Sequence, residues 1–118
     1  MPAREVVARE LAETFRVLGH ELRIRIVEEL AHGHKGELDV HTLVDILHVS
    51  QPTVSQHLGV LRNAKLVKQR RVGRHVHYSL TNRKLAGCLL KALLFLDARS
   101  NDAEELSRAV EDVRRVWR

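Results

Sequence analysis

Aromatic side chains make up only 3% of the 118 residues, so leucine, valine, isoleucine and alanine must fill whatever core the chain builds. That length supports one domain, 1–118, with a modest core. A core so poor in aromatics is marginal alone, and a second copy would relieve it. Cysteine occurs once, at Cys88. That excludes an intrachain disulfide framework and makes the cytoplasm the expected compartment. Long apolar runs are missing as well. The longest, LAGCLLKALLFL from Leu85 to Leu96, is too short to span a bilayer and contains Lys91, so no membrane partner is expected. The opening MPAREVVARE is charged early and has no apolar centre, which argues against a secretory signal. The last scarcity is local. Between Asp45 and Asp97 there is no acidic residue at all.

That acid-free window holds nine lysines and arginines: Arg62, Lys65, Lys68, Arg70, Arg71, Arg74, Arg83, Lys84 and Lys91. The rest of the chain carries eleven basic against fifteen acidic residues, within an overall charge of +5. The chain is therefore a mildly acidic frame around a strongly basic insert. A polyanion is the natural partner of such an insert, and a merely solvated basic face is the alternative.

Apolar spacing predicts a helix over about 3–18, where Val7, Leu11, Phe15 and Leu18 recur. Gly19 can stop it. A second helix covers about 21–31, with Leu22, Ile26 and Leu30 on one stripe, and HGHKGE reads as a loop. A short third helix, about 41–47, and a fourth, 51–63, are joined by HVS. Ser50 is the expected N-cap and Pro52 sits in the tolerant first turn. This is the spacing of a helix-turn-helix, about 41–63. Two strands follow, 66–72 and 75–81, with Gly73 at the hairpin tip. Val76, Tyr78 and Leu80 alternate onto one face; His75, His77 and Ser79 take the other. A long helix over about 82–98 and a last one over about 102–117 complete the chain. Asn101 and Glu104 have capping-box spacing, and Leu106, Val110, Val113 and Trp117 form the last stripe. The fold class is mainly α with a small β-hairpin: four helices, the hairpin, then two helices.

Projected at 100° per residue, Val54, Leu58 and Leu61 fall in one narrow arc of the fourth helix and face the core. The opposite arc carries Pro52, Thr53, Ser55, Gln56 and Gly59. A solvated helix usually displays Glu and Lys. This one displays neutral donors and acceptors, and Gly59 permits close approach. That suits a helix lying in the major groove of double-stranded DNA. Arg70, Arg71 and Arg74 surround the hairpin tip, where they can reach phosphates or a minor groove.

At LGHELRIRIVEEL, VSQPTVSQHLGVLRNAKLV and GRHVHYSL the sequence resembles the ArsR/SmtB family of winged-helix repressors, over roughly Phe15 to Leu80. The resemblance implies a homodimeric winged helix-turn-helix, a pseudo-palindromic operator and release by an inducer. Gln51, Thr53, Ser55, Gln56 and His57 fall where the family contacts DNA. The segment from Lys68 to His77, with Arg70, Arg71, Arg74 and His75, falls on its wing at about 66–81. One departure is visible: Ala64-Lys65 stands where many members have glycine after the alanine. If Lys65 is left-handed there, it costs about 1 kcal/mol relative to glycine. The dimer has support of its own. The segment Leu85–Leu96 is apolar nearly all round and needs cover on every side. The dimerisation helices are therefore expected at about 3–18 and 82–117.

The sensing chemistry reads less directly. The thiolate motif of the family, E-L-C-V-C, aligns with ELDVH, so Asp39 and His41 replace both cysteines. Soft ions want thiolates, which argues against arsenic or cadmium there. Asp39 and His41 offer oxygen and nitrogen to Zn, Ni or Co, with help from His32, His34 or the amino-terminal segment. The preferred reading is simpler: an N-cap Asp followed by a surface His. A second family metal site aligns with Asn82, Lys84, Phe95 and Ala98, none a good ligand. Cys88 is a candidate redox group, although a buried structural thiol is the preferred reading. Eight histidines are present, and protonation of His57, His75 and His77 would add charge facing phosphate. No nucleophile elbow, phosphate loop or His-Glu-x-x-His motif occurs, which argues against an enzyme. The nearer rival is a winged-helix architectural or protein-interaction module without inducer.

Overall fold

The computed structural model describes residues 2–99 and 104–116. They form two compact units, Met1–Asn82 and Arg83–Arg118. In the first unit α1 (Ala3–Leu18), α2 (Glu21–Ala31), α3 (Val40–Leu47) and α4 (Gln51–Asn63) combine with strands β1 (Glu37–Asp39), β2 (Val67–Val72) and β3 (His75–Leu80). In this unit the predicted helices and hairpin appear with boundaries shifted by at most one residue. What the sequence reading missed is β1. The stretch read as loop contains a single 3-10 turn, His34–Gly36, and then three residues that pair antiparallel with β3. Three residues are too few for alternation to register as a strand.

The sheet order is β1-β3-β2, with Val67 opposite Leu80 and Val72 opposite His75. Gly73 turns the hairpin at φ 60°, in the left-handed region glycine enters freely. Neighbours across the strands share a face. One face carries Leu38, Val76, Tyr78, Leu80 and Val67; the other carries Glu37, Asp39, His75, His77, Lys68 and Arg70.

The core of this unit is aliphatic, as composition requires. Ile26, Val27, Leu30, Leu43, Val54, Leu58 and Leu61 are fully buried, with Leu47, Val67 and Leu80 nearly so. α1 behaves differently. Only Val17 and Leu18 are buried, whereas Val7, Leu11 and Phe15 of the predicted stripe are 50–65% exposed.

The second unit is a pair of helices, α5 (Lys84–Arg99) and α6 (Glu104–Val116). Leu93 and Val110 are buried, and Leu106 and Val113 half-buried. Leu94 and Phe95 are 53% and 62% exposed. Cys88 is exposed too, which corrects the expectation of a buried structural thiol within one protomer. The expected Asn101 cap and Trp117 lie outside the described residues. Among the described residues no helix is long and apolar enough to cross a membrane.

Candidate nucleic-acid interface

α3 and α4 are set by their caps. Asp39 Oδ1 accepts from the Thr42 amide at 2.8 Å, and the Ser50 hydroxyl accepts from the Thr53 amide at 3.3 Å. Pro52 occupies the first turn of α4. Between the helices His48 adopts left-handed geometry, φ 56°. The far end of α4 closes with two backbone bonds, Lys65 N–H to Arg62 O at 2.9 Å and Leu66 N–H to Leu61 O at 3.0 Å. This is a Schellman closure, and it requires a left-handed residue at its centre. Lys65 supplies it at φ 62°, the conformation in which a lysine is disfavoured against glycine.

With the helix so fixed, Val54, Leu58 and Leu61 point into the core, and Gln51, Pro52, Ser55 and Gln56 are exposed. Thr53 is half-buried and its hydroxyl is 2.8 Å from that of Ser50, so the cap partly engages it. A methyl group built on Gly59 would meet nothing within 4 Å. The absence of a side chain there is not demanded by the protein's own packing.

His57 does not join this surface, and the expectation of a phosphate-facing imidazole is corrected. Its ring is 8% exposed, accepts a hydrogen bond from Arg23 Nε at 3.2 Å, and lies 4.4 Å from the His20 ring between centroids. Burial first, then the charges of His20 and Arg23, lower its pKa below the ordinary histidine value.

Lys68, Arg70, Arg71, Arg74 and His75 of the wing are all exposed. They do not form one undivided cationic surface. Lys68, Arg70 and His75 lie on the polar sheet face, Arg71 on the opposite one beside Val76, and Arg74 at the tip. The window without carboxylates in sequence meets them in space. The Arg70 guanidinium donates to Glu37 of β1, and His75 Nδ1 lies 3.7 Å from Asp39 Oδ2. The Arg70 hydrogen bond lowers the Glu37 pKa, and the Thr42 hydrogen bonds lower that of Asp39. Glu37 is the residue the sequence reading missed, and Asp39 was read as a cap or metal ligand without its place beside the wing. Their E-x-D spacing puts both on one strand face, a signal readable only once a strand is suspected there.

A cleft joins the two halves of the site. It is lined by Gln51 at the start of α4, Arg74, His75 and Val76 of the wing, and Asp39 and His41 at the start of α3. Asp39 and His41 therefore meet at the wing, but Asp39 already serves the α3 cap. Among the described residues no three His, Cys, Asp or Glu side chains gather to hold a metal. Asp39 and His41 alone do not make a Zn or Ni site.

Comparison with known proteins gives a consistent picture. The model of the bacterial regulatory protein arsR family matches residues 20–69. The HTH-type transcriptional repressor SmtB of Mycobacterium tuberculosis is 42% identical over 92 residues, 78% of this chain and 65% of that protein. This chain thus aligns with slightly under two thirds of that relative's length. The transcriptional repressor PagR of Bacillus anthracis is 40% identical over 66% of this chain and 76% of its own length. Among solved structures, M. tuberculosis Rv0081 superposes with a TM-score of 0.72 at 33% identity, over 81% of this chain and 94% of that one.

Proposed function

Since this chain belongs to the ArsR family of bacterial regulatory proteins, we propose that it is a sequence-specific DNA-binding transcriptional repressor that works as a homodimer in the cytoplasm. The observation that carries the reading is the exposed, carboxylate-free face of α4 opening through one cleft onto Arg74 and His75 of the wing. In this reading the exposed Gln51, Ser55 and Gln56 address base edges, with Thr53 beside them. Lys68, Arg71 and Arg74 address phosphates. Arg70 and His75 do so in competition with Glu37 and Asp39. His57 acts from inside, through the position of the helix. The relatives described above are named as transcriptional repressors, which favours a regulator over an enzyme.

The dimer is supported by apolar surface left uncovered on each unit: Val7, Leu11 and Phe15 on α1, Leu94 and Phe95 on α5. Side chains of this kind are expected to meet a second copy. Release by an inducer belongs to the same reading. Cys88, exposed on α5, is the candidate for an oxidant, whereas Asp39 and His41 would need ligands from elsewhere to sense Zn or Ni.

The test is a hydroxyl-radical footprint on the DNA upstream of the protein's own gene. A two-fold dimer should protect two half-sites about 10 base pairs apart, one helical turn. One asymmetric protected stretch would contradict the dimer. Even, weak protection along the fragment would favour an architectural module.

A further inference from the structure

Arg23 sits on α2, half-buried, and its guanidinium serves two other elements at once. Nη1 donates to the Val17 carbonyl in the last turn of α1 at 3.0 Å, and Nε donates to His57 Nδ1 at 3.2 Å. An arginine cannot give up its proton in a protein, so His57 Nδ1 must be the acceptor and the ring must be neutral. Beside it, His20 caps α2 by accepting the Leu22 amide at Nδ1, 3.1 Å away. Two imidazoles, each accepting at Nδ1, and one guanidinium thus meet where α2 packs on α4.

We infer that Arg23 and His57 are positioning residues for the DNA-reading helix, and that the hydrogen bond between them is a latch opened by a proton on His57 Nδ1. The inference rests on the DNA-binding reading. Val54, Leu58 and Leu61 hold α4 in the core whether or not the latch is closed. The latch sets the orientation of that helix, because His57 directly follows Ser55 and Gln56 on the exposed face. A proton on Nδ1 turns the acceptor into a donor aimed at another donor, and places two cations about 3 Å apart with little water to screen them. The charged and titratable groups acting on the ring are His20 and Arg23, from α2 and its cap. The residues buried on the other two elements against α4 are apolar: Leu43 and Leu47 of α3, and Val67 of β2.

The sign follows from the lowered pKa of His57. The latched state binds fewer protons than the open one, so the latch is complete above the ordinary histidine pKa. It is lost as pH falls through the lower value of the folded protein. His75 and His77 also lie on the wing, so a bare pH profile of the native protein would not isolate the latch.

The experiment therefore compares the native protein with His57→Asn, whose side-chain oxygen takes the place of Nδ1 as an acceptor that does not titrate. DNA affinity is measured by fluorescence anisotropy from pH 8 to pH 5.5. The histidine rings and the Arg23 Nε–H of the free native protein are followed by NMR over the same range. The native-to-variant affinity ratio should be near one at pH 8 and fall by about tenfold in acid, the worth of one hydrogen bond to a charged group. His57 should titrate below the ordinary histidine value, with the Arg23 Nε–H signal lost in step. His57 titrating at an ordinary value, with Arg23 unchanged, would overturn the latch. A flat ratio with a normal NMR result would overturn its role in positioning. Should neither protein bind DNA at any pH, the DNA reading itself fails and the positioning role with it, while the NMR result still decides the latch. If His57→Asn does not fold, the native NMR titration alone can refute the inference.

Discussion

Gln56 and Arg74 are both exposed, one on α4 and one at the wing tip, yet they carry different information. A glutamine amide can pair with adenine through two hydrogen bonds, so its contribution depends on the base it meets. A guanidinium at a phosphate is indifferent to sequence. Gln56→Ala should therefore lose roughly 1–3 kcal/mol of discrimination at a single base pair and little elsewhere. Arg74→Ala should weaken binding to every sequence and lower the salt slope by about one. Titrations against a panel of singly substituted sites at three salt concentrations separate the two. Equal loss on all sites from Gln56→Ala would move that residue to backbone positioning. Arg70 is a third kind. Glu37 already shares its charge, so Arg70→Ala is expected to cost less DNA affinity than Arg74→Ala.

At the scale of elements, α4 shows how much was legible. Its span, its Ser50 cap and its buried arc follow from apolar spacing and residue chemistry alone, because a periodic amphipathic segment with a good cap has few alternatives. The hairpin was legible for the same reason, through alternation around Gly73. β1 was not, since a three-residue strand exists only by pairing with β3, and that pairing is a tertiary fact. The carboxylate partners of the wing were hidden with it. His57 was misplaced by the family pattern, although a helical projection puts it about 60° from Val54, on the shoulder of the buried arc. Arg23, distant in sequence, gave no signal. At the end of α4, Lys65 holds a left-handed position that the Schellman closure imposes. Lys65→Gly should stabilise the protein by about 1 kcal/mol, read as a higher urea midpoint at fixed protein concentration. An unchanged or lower midpoint would mean that the lysine side chain offsets the strain by contacts of its own.

For the molecule as a whole, two features bear on the proposed function. One is exposed apolar surface on α1 and α5; the other is a neutral, carboxylate-free face on α4 beside a basic wing. In the proposed reading a second copy accounts for the first and DNA for the second. A two-fold pair would present two reading helices to one side of a duplex. The measurement that bears most directly on this account is an anisotropy titration of promoter DNA from upstream of the protein's own gene. It is set against scrambled DNA of equal length, with Zn(II), Ni(II) and a thiol oxidant added in separate arms. The account predicts that the promoter is favoured by about 10³ or more, and that an effective inducer abolishes that preference. Equal affinity for both DNAs would contradict it.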